Sequence, residues 1–238
     1  MMDKLILTFD IDWASEKIVD HTLQILADYG LKATFFCTHP LKSDLKGHEI
    51  AIHPDFRHLK NWLDVKEIKG IIDDLLVCYP GAKGSRSHGL ITGSSIFLAL
   101  AESGIKYDSS FYMFNQKFVP FEVTENLVEM PIYFLDYSMF GNLKKGSLDN
   151  LNLEKDGLKI FAFHPIHIFL NSHSLEHYWR ARPYLKDQRK LSDLENKKFY
   201  GSRDFLLDLL NLAKKEKIEI QTCWEAYNSF YFGGYSNS

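Results

Sequence analysis

The chain has few cysteines, no long hydrophobic run and almost no net charge. Its three cysteines are far apart and odd in number, so the sequence supports neither a disulfide framework nor a thiolate zinc site. The longest apolar runs are too short and interrupted to span a bilayer, and no basic segment followed by an apolar run marks a secretory signal. A formal net charge of −3 gives no general attraction to nucleic acid or to an anionic membrane. We therefore expect a cytoplasmic protein without stable membrane insertion, which recognises its partner through local groups.

The sequence pattern predicts one α/β domain that spans residues 1–238. A chain of 238 residues can bury a full core as one domain. Apolar strand-like runs alternate with segments of helical period, which is typical of parallel βαβ units. Strands are expected at residues 5–9, 34–37, 50–52, 105–108, 158–163 and 218–220, and helices at residues 16–29, 64–77, 94–103 and 205–213. The aromatic residues 111–151 are expected to form strands or an irregular cleft wall, and the polar residues 173–197 a long irregular excursion.

Acids, histidines or an arginine follow apolar strands at four widely separated places. The segments are LTFDID (residues 7–12), EIAIHPDFRH (49–58), SRSHGL (85–90) and FAFHPIH (161–167). One such segment is weak evidence of function, because strand ends are often polar. Four in one chain indicate a single metal-centred hydrolytic site.

Asp10 and Asp12 are two residues apart at the end of the first strand. If the strand stays extended, both carboxylates point to one face while Ile11 points into the core. Two carboxylates so close repel each other unless a cation or a shared proton relieves them. We interpret the pair as a general base and a metal ligand; a pair of acids that caps the next helix is the alternative.

His53 is expected to stand at the carboxyl end of a strand, because Pro54 forces the chain out of the sheet. Imidazole and carboxylate donors suit zinc, and a catalytic zinc site has three protein ligands and one open position. His58 is the predicted third ligand, since it follows within one loop. Asp55 and His48 compete with it, and a histidine packed in the core is the non-functional alternative.

Arg86 and His164 supply the remaining chemistry. An arginine placed against a carboxylate keeps it ionised and fixes its orientation. His164 closes an apolar strand, and a histidine that is not a ligand is suited to protonating a leaving group. His88 lies two residues after Arg86, and His167 lies three residues after His164. We expect both histidines to contact substrate. A surface arginine in a loop is the alternative for Arg86.

These segments resemble the motifs of the polysaccharide deacetylase family, the NodB-homology domain of the fourth carbohydrate esterase family. The first motif of that family ends a strand with Thr-Phe-Asp and a following acid, as residues 8–12 do. Its second motif, Glu-Ile-Gly-x-His, is similar to residues 49–53, its third supplies an arginine at Arg86, and its last places a histidine at His164. The segments IKYDSSF (105–111) and EMPIYFLDY (129–137) also resemble the family.

The resemblance implies a distorted (β/α)7-type barrel, one divalent metal and hydrolysis of an N-acetyl group on a sugar. The expected metal is zinc, with cobalt, nickel or manganese as alternatives. By position, Asp10 would be the general base, Arg86 the group that orients it, and His164 the general acid. Asp12 and His53 would be metal ligands.

The chain departs from the family pattern at three places. Ile11 separates aspartates that are usually adjacent, His58 lies five residues from His53 where the family has four, and the third motif is altered at residues 86–89. If His58 is not the third ligand, His88 is the competing prediction. The departures suggest a divergent branch that resembles deacetylases of surface-polysaccharide (O-antigen or capsule) loci, acting on an N-acetylated saccharide.

Two other functions remain open on the sequence. A haloacid-dehalogenase-like phosphatase also has a strand that ends in Asp-x-Asp, and it would use Asp10 as nucleophile. That alternative leaves His53, Arg86 and His164 without roles. A non-catalytic sugar-binding relative, in which the altered motifs hold no competent metal, is the second alternative.

Overall fold

A curled, mostly parallel β-sheet surrounded by helices forms the centre of the protein. A computed structural model describes residues 4–154 and 157–232. The strands are β1 (Lys4–Asp10), β2 (Thr34–Cys37), β3 (Glu49–Ile52), β4 (Gly84–Ser85), β5 (Tyr107–Asp108), β6 (Phe121–Thr124), β7 (Leu127–Glu129), β8 (Ile132–Leu135), β9 (Ile160–Phe163) and β10 (Glu219–Gln221). The helices are α1 (Glu16–Asp28), α2 (Val65–Cys78), α3 (Ser94–Glu102), α4 (Pro165–Leu170), α5 (Leu175–Ala181), α6 (Gln188–Asp193), α7 (Ser202–Glu216) and α8 (Cys223–Phe232).

The sheet order shows how the strands curl into a barrel-like wall. The order is β6-β7-β5-β4-β3-β2-β1-β9-β8, with β10 beside β1, and the β6–β7 pair alone is antiparallel among the described strand pairs. β7 pairs with β5 and β8 pairs with β9, while Met130 and Pro131 join β7 directly to β8. The two flanks of the parallel sheet are therefore connected through one short segment. The expected α/β fold of the distorted (β/α) barrel type is confirmed.

Side chains alternate between the inside of the curl and the helices outside. Ile6 and Tyr107 pack together with Phe36 in the interior, whereas Leu5 and Leu7 belong to the cluster formed with the helices. The Tyr107 ring fills the interior so tightly that a Cβ on Gly84 would lie 1.9 Å from it. Asp10 shares the face of Ile6, since strand residues two and four apart point the same way. This alternation places Asp10 inside the barrel at the carboxyl end of β1.

Most predicted helices form where their apolar period and end signals occur. The Asp64 side chain caps α2 by accepting hydrogen bonds from the backbone N–H groups of Lys66 and Glu67. Gly30 follows α1 with a φ of 65°, a left-handed conformation that favours glycine. No helix in the described part of the chain is long and apolar enough to cross a membrane.

The long excursion expected at residues 173–197 contains regular structure that the sequence period does not show. Two short helices, α5 and α6, form there. The Ser174 side chain accepts a hydrogen bond from His177 N at the start of α5, and Asp187 accepts one from Lys190 N at the start of α6. These local caps specify helices that are too short to show a clear hydrophobic period.

Candidate active site

Asp10 and Arg86 form a fully buried ion pair at the centre of the candidate site. Arg86 Nη1 donates to Asp10 Oδ1 at 2.8 Å and to Thr8 Oγ1 at 2.8 Å. Its Nε donates to the Ser109 carbonyl oxygen and its Nη2 to Ser109 Oγ, both at 2.8 Å. The guanidinium also lies 4.2 Å from the centre of the Phe36 ring. Because every edge of the guanidinium is engaged, it holds the Asp10 carboxylate in one orientation.

Asp12 reaches the site by a sharp turn instead of by continuing the strand. β1 ends at Asp10, and Asp12 and Trp13 have φ values of 46° and 58°. The condition for both carboxylates to point to one face, a strand that stays extended through Asp12, is therefore not met. Two consecutive non-glycine residues in the left-handed region are strained, and such strain is often found at functional sites.

The Asp12 carboxylate meets two histidines from neighbouring strand ends. Asp12 Oδ1 lies 3.2 Å from His53 Nε2 and 2.8 Å from His88 Nδ1. Burial opposes ionisation of Asp12, but the hydrogen bonds to His53 and His88 and the charge of His164 outweigh it and hold the pKa of Asp12 well below its usual range. Asp12 is therefore an ionised, acceptor-only group at neutral pH.

His53 is oriented so that one ring nitrogen is free to act as a ligand. Its Nδ1 donates a hydrogen bond to the Arg86 carbonyl oxygen at 2.6 Å. Nε2 is the nitrogen that faces Asp12: it donates to the carboxylate when it carries a proton, and in the neutral ring it presents a lone pair there instead. Two acceptors that face each other are satisfied by a cation between them. A hydrogen bond from the second ring nitrogen to a carbonyl is the usual support of a metal-bound histidine.

Asp12, His53 and His88 together form a candidate metal group. One ligand atom from each of the three lies within 4.8 Å of the others. His58 is exposed and lies outside both candidate groups found among residues 4–154 and 157–232. The structure thus brings together Asp12 and His53 as expected, with His88 in the place predicted for His58.

Backbone pairing explains why His88 and not His58 reaches the group. The backbone N–H of His88 donates to the Pro54 carbonyl oxygen at 2.9 Å, so the segment after β4 runs beside the segment after β3. This brings the ring of His88 to 5.4 Å from the ring of His53. The other two competitors are engaged elsewhere: Asp55 binds Arg57 at 2.8 Å, and His48 Nδ1 accepts a hydrogen bond from a backbone N–H.

His164 stands on the opposite side of Asp12 and is paired with Asp136. His164 Nδ1 lies 2.8 Å from Asp136 Oδ1, and the backbone N–H of His164 donates to Asp136 Oδ2 at 2.9 Å. Its Nε2 faces Asp12 Oδ2 at 3.5 Å. Burial lowers the pKa of His164, but the charge and hydrogen bond of the buried Asp136 outweigh it and raise the pKa to about 10. A protonated His164 therefore faces the site at neutral pH.

Asp136 is the functional residue that sequence reasoning missed. It follows β8 directly, so the signal was an acid at the end of the apolar run IYFL. The sequence indicates strands or a cleft wall for the aromatic residues around it, and this pattern does not link Asp136 to His164.

His167 is buried beside His164 in a cage of aromatic rings. Its ring centre lies 5.1 Å from that of His164 and 4.7 Å from those of Phe140 and Tyr178. Burial lowers the pKa of His167 to about 3, so the ring is neutral at physiological pH. Asp136, His164 and His167 form the second candidate metal group among the described residues. Protonated His164 and the hydrogen bonds that Asp136 already accepts from it make this group the less suitable of the two.

The comparisons with known proteins agree with this geometry. The family model of the WbmS-like polysaccharide deacetylases matches residues 7–182, which is more than half of the chain. The chain belongs to this family. The resemblance of the four motif segments to the polysaccharide deacetylase family is thereby confirmed. No curated protein sequence matches the chain.

Solved structures with the same fold include members of the wider deacetylase group. A protein from Bordetella bronchiseptica, described as a polysaccharide deacetylase involved in O-antigen biosynthesis, is 26% identical with a TM-score of 0.74, over 89% of this chain and 91% of that one. A family 4 acetyl xylan esterase from Clostridium thermocellum, in complex with a cobalt ion, is 16% identical with a TM-score of 0.51, over 94% and 90%. A CE4 family pseudoenzyme from Bacillus anthracis is 11% identical with a TM-score of 0.51, over 94% and 65%. The last two show likeness of fold alone.

Replacing Asp136 by asparagine is expected to lower the pKa of His164 towards the ordinary histidine value. The amide keeps the shape of the carboxylate but removes the charge that favours the imidazolium. An NMR titration of the histidine rings measures this directly, with exposed Asp149→Asn as the control. An unchanged pKa for His164 in Asp136→Asn would show that another group holds its proton.

Proposed function

We propose that this WbmS-like protein is a metal-dependent hydrolase that removes the N-acetyl group from an acetylated amino sugar during surface-polysaccharide (O-antigen or capsule) biosynthesis. The convergence of three units at one end of the barrel carries the proposal. These are the Asp10–Arg86 ion pair, the Asp12, His53 and His88 donor group, and the His164–Asp136 pair. The free thiols of the chain fit the predicted cytoplasmic location.

Asp12, His53 and His88 are the residues that would hold the metal. One carboxylate and two imidazoles form a donor set that suits zinc, and three protein ligands leave a position open for substrate or water. Cobalt, nickel and manganese are the alternatives. A bound divalent cation would supply Lewis acidity and make a nearby water easier to deprotonate. We therefore assign the third ligand to His88 in place of His58.

Asp10 is proposed as the general base. Its Oδ1 is bound to Arg86, which leaves Oδ2 to accept the proton of the attacking water. The phosphatase alternative uses this same carboxylate as a nucleophile, but it leaves His53, Arg86 and His164 without roles. Arg86 acts through Asp10 and is a positioning residue in this account.

His164 is proposed as the general acid that protonates the departing amine. Its pKa of about 10 keeps it protonated at neutral pH, and Nε2 faces the donor group while Nδ1 is bound to Asp136. The charge of Asp10 also acts on His164, so the proposed base and acid belong to one site. His167, neutral and next to His164, is proposed to contact the substrate through its ring.

Trp13 is proposed as the platform for the sugar ring at the rim of the site. It is half exposed, and its ring centre lies 5.0 Å from that of His88 in an edge-to-face arrangement. The backbone N–H of Trp13 donates to Thr38 Oγ1 at 3.1 Å, and the Arg57 guanidinium lies 5.7 Å from the indole. An exposed aromatic face held in place beside a metal group is suited to packing against the apolar face of a pyranose.

Trp13→Ala is expected to raise the KM for an acetylated saccharide by about tenfold with little change in kcat, because it removes roughly 1.4 kcal/mol of uniform binding. The matched control is Trp62→Ala, which removes an exposed indole elsewhere on the surface. Steady-state kinetics of both variants give the comparison. A large loss of kcat with an unchanged KM would show that Trp13 maintains the catalytic geometry instead.

The proposed activity is tested by following acetate and free amine together. The purified protein, supplied with zinc or cobalt, is incubated with N-acetylglucosamine oligosaccharides, UDP-N-acetylglucosamine and an O-acetylated xylan. Equal amounts of acetate and primary amine support N-deacetylation, and acetate without amine would make the protein an O-esterase. Phosphate release from p-nitrophenyl phosphate with magnesium, and no acetate from any substrate, would favour the phosphatase.

A further inference from the structure

A pair of acids is buried behind the strands that carry Arg86 and Ser109. Asp108 of β5 is in register with Glu129 of β7 on one side and with Ser85 of β4 on the other. Residues in register on parallel strands point to the same face, so the three side chains form one row. The row lies on the face of the sheet that packs against α2 and α3, because Ile52 is in register with Ser85 and belongs to the apolar cluster of those helices.

The acids of this row interact mainly with one another and with two serines. Asp108, Glu129 and Ser85 are all fully buried. Among the described residues, both Asp108 carboxylate oxygens, Glu129 Oε2 and Ser85 Oγ make no hydrogen bond of regular geometry, and the polar side chains that act on Asp108 are Ser85, Ser110 and Glu129. Glu129 Oε1 accepts a hydrogen bond from Phe111 N at 2.9 Å. Two buried carboxylates of the same charge, side by side, are strongly unfavourable if both are ionised.

Among residues 4–154 and 157–232, the cation that acts on the pair already has another carboxylate partner. The charged group that acts on both acids is Arg86, and its guanidinium is already bound to Asp10. Glu102, the acid of α3, pairs with Lys69. On the neighbouring strand β6, Glu122 accepts a hydrogen bond from Tyr231.

We propose that Asp108 and Glu129 share one proton and act as a singly charged pair that positions the segment holding Arg86. The shared proton is bonded to Glu129, which donates a hydrogen bond to the Asp108 carboxylate. Asp108 carries the single negative charge of the pair. Burial raises the pKa of Asp108 to about 6, and burial together with the neighbouring Asp108 raises that of Glu129 well above its usual range. Both directions agree with a proton that is retained at neutral pH.

The pair acts on the active site through Ser109 and Ser110. Ser109 follows Asp108 directly and binds Arg86 through its carbonyl and its hydroxyl, while Ser110 Oγ accepts a hydrogen bond from Ser87 N at 2.9 Å. Loss of the shared proton would leave two negative charges side by side on β5 and β7, and they would repel each other. This would displace the backbone that positions Arg86 and, through it, Asp10.

The inference rests on the proposed function only for the role of Arg86, and the proton itself is tested without substrate. Acids whose pKa is raised on folding bind more protons in the folded than in the unfolded state, so their contribution to stability falls as pH rises. Glu129→Gln supplies an amide that donates to Asp108 at every pH. The thermal midpoints of this variant and the wild type are expected to agree at pH 5, and the variant is expected to be about 4 °C or more higher at pH 9.

Asp108→Asn is the second variant, and it is expected to show the same flattened pH dependence, because it too removes one of the two charges. Exposed Glu122→Gln is the control and should follow the wild type. Parallel pH profiles for the wild type and Glu129→Gln would overturn the proposal. So would a wild type stabilised by added calcium or potassium together with a Glu129→Gln protein destabilised at every pH, since this indicates a bound cation in place of the proton.

The positioning role is measured separately by activity. Glu129→Gln is expected to keep kcat within about twofold at pH 7, whereas Glu129→Leu, which cannot donate to Asp108, should lose most of kcat with little change in KM. Equal kcat values for the two variants, in protein that remains folded, would refute positioning. If the wild type shows no deacetylation at all, the proposed function fails while the thermal comparison still decides the proton.

Discussion

Replacing Asp10 by asparagine is expected to lower kcat by about a hundredfold or more, because removal of a general base typically costs a factor of that order. The amide preserves the shape of the side chain and its contact with Arg86, which lies 2.8 Å from Oδ1 in the native protein. The metal-binding side chains are separate, so metal content should stay the same. Steady-state kinetics and elemental analysis of the same preparation measure both properties.

The control for Asp10→Asn is Asp20→Asn, which changes an exposed acid on α1. It should retain wild-type turnover and metal content. More than about a tenth of wild-type activity in Asp10→Asn would contradict the base assignment. Loss of both metal and activity would instead make Asp10 a ligand.

The second large effect is expected in metal affinity. His53→Ala and His88→Ala should each weaken binding at least as much as the roughly 10- to 100-fold that loss of an outer-shell partner costs, because each removes a direct donor. His58→Ala is the matched control from the same loop as His53, and it should bind metal like the wild type, since His58 is exposed and outside the donor group. Titrations with zinc at one pH compare the three, because ligand imidazoles must be deprotonated to bind.

A weakened His58→Ala protein beside an unaffected His88→Ala protein would reverse this assignment. It would restore His58 as the third ligand and leave His88 to contact the substrate, as the sequence alone suggested. Equal loss in all three variants would indicate that the loop after β3 moves to bring both histidines to the metal.

Sequence periodicity was sufficient for the α/β class because the strands and helices obey local rules, whereas the barrel was implied by the resemblance to the deacetylase family. The apolar run of β1, the capped start of α2 and the glycine after α1 each specify their element without distant partners. The positions of Asp10, Arg86 and His164 at strand ends follow from the same rules, since parallel strands end at one edge of the sheet. The structure brings these three side chains to one place, while their chemical roles stay predictions.

The place of His88 beside Asp12 could not be predicted because it depends on pairing between segments far apart in sequence. Nearness along the chain favoured His58, since closing a short loop costs little entropy. The deciding contact is the hydrogen bond from His88 N to the Pro54 carbonyl oxygen, which is set by the register of β4 against β3. The left-handed turn at Asp12 and Trp13 could not be predicted either, because a tryptophan rarely adopts that conformation and an aspartate adopts it at only a minority of positions.

The Asp136 contact with His164 depends on the same kind of long-range register. β8 pairs with β9, and this pairing brings the end of one strand beside the end of the other. The alternating pattern of each strand could be recognised separately, but nothing in either pattern stated that they were neighbours. A search for acids after every apolar run would have found Asp136 as a candidate, without its partner.

Acetate release before and after metal removal tests the central claim most directly. The wild-type protein is stripped with a chelator, dialysed, and assayed on an N-acetylated amino sugar as substrate with and without one equivalent of zinc. The account predicts no acetate from the stripped protein and restored release at one equivalent, with Asp10→Asn inactive under both conditions. Equal acetate release by the stripped and zinc-supplied proteins would contradict metal-dependent deacetylation at this site.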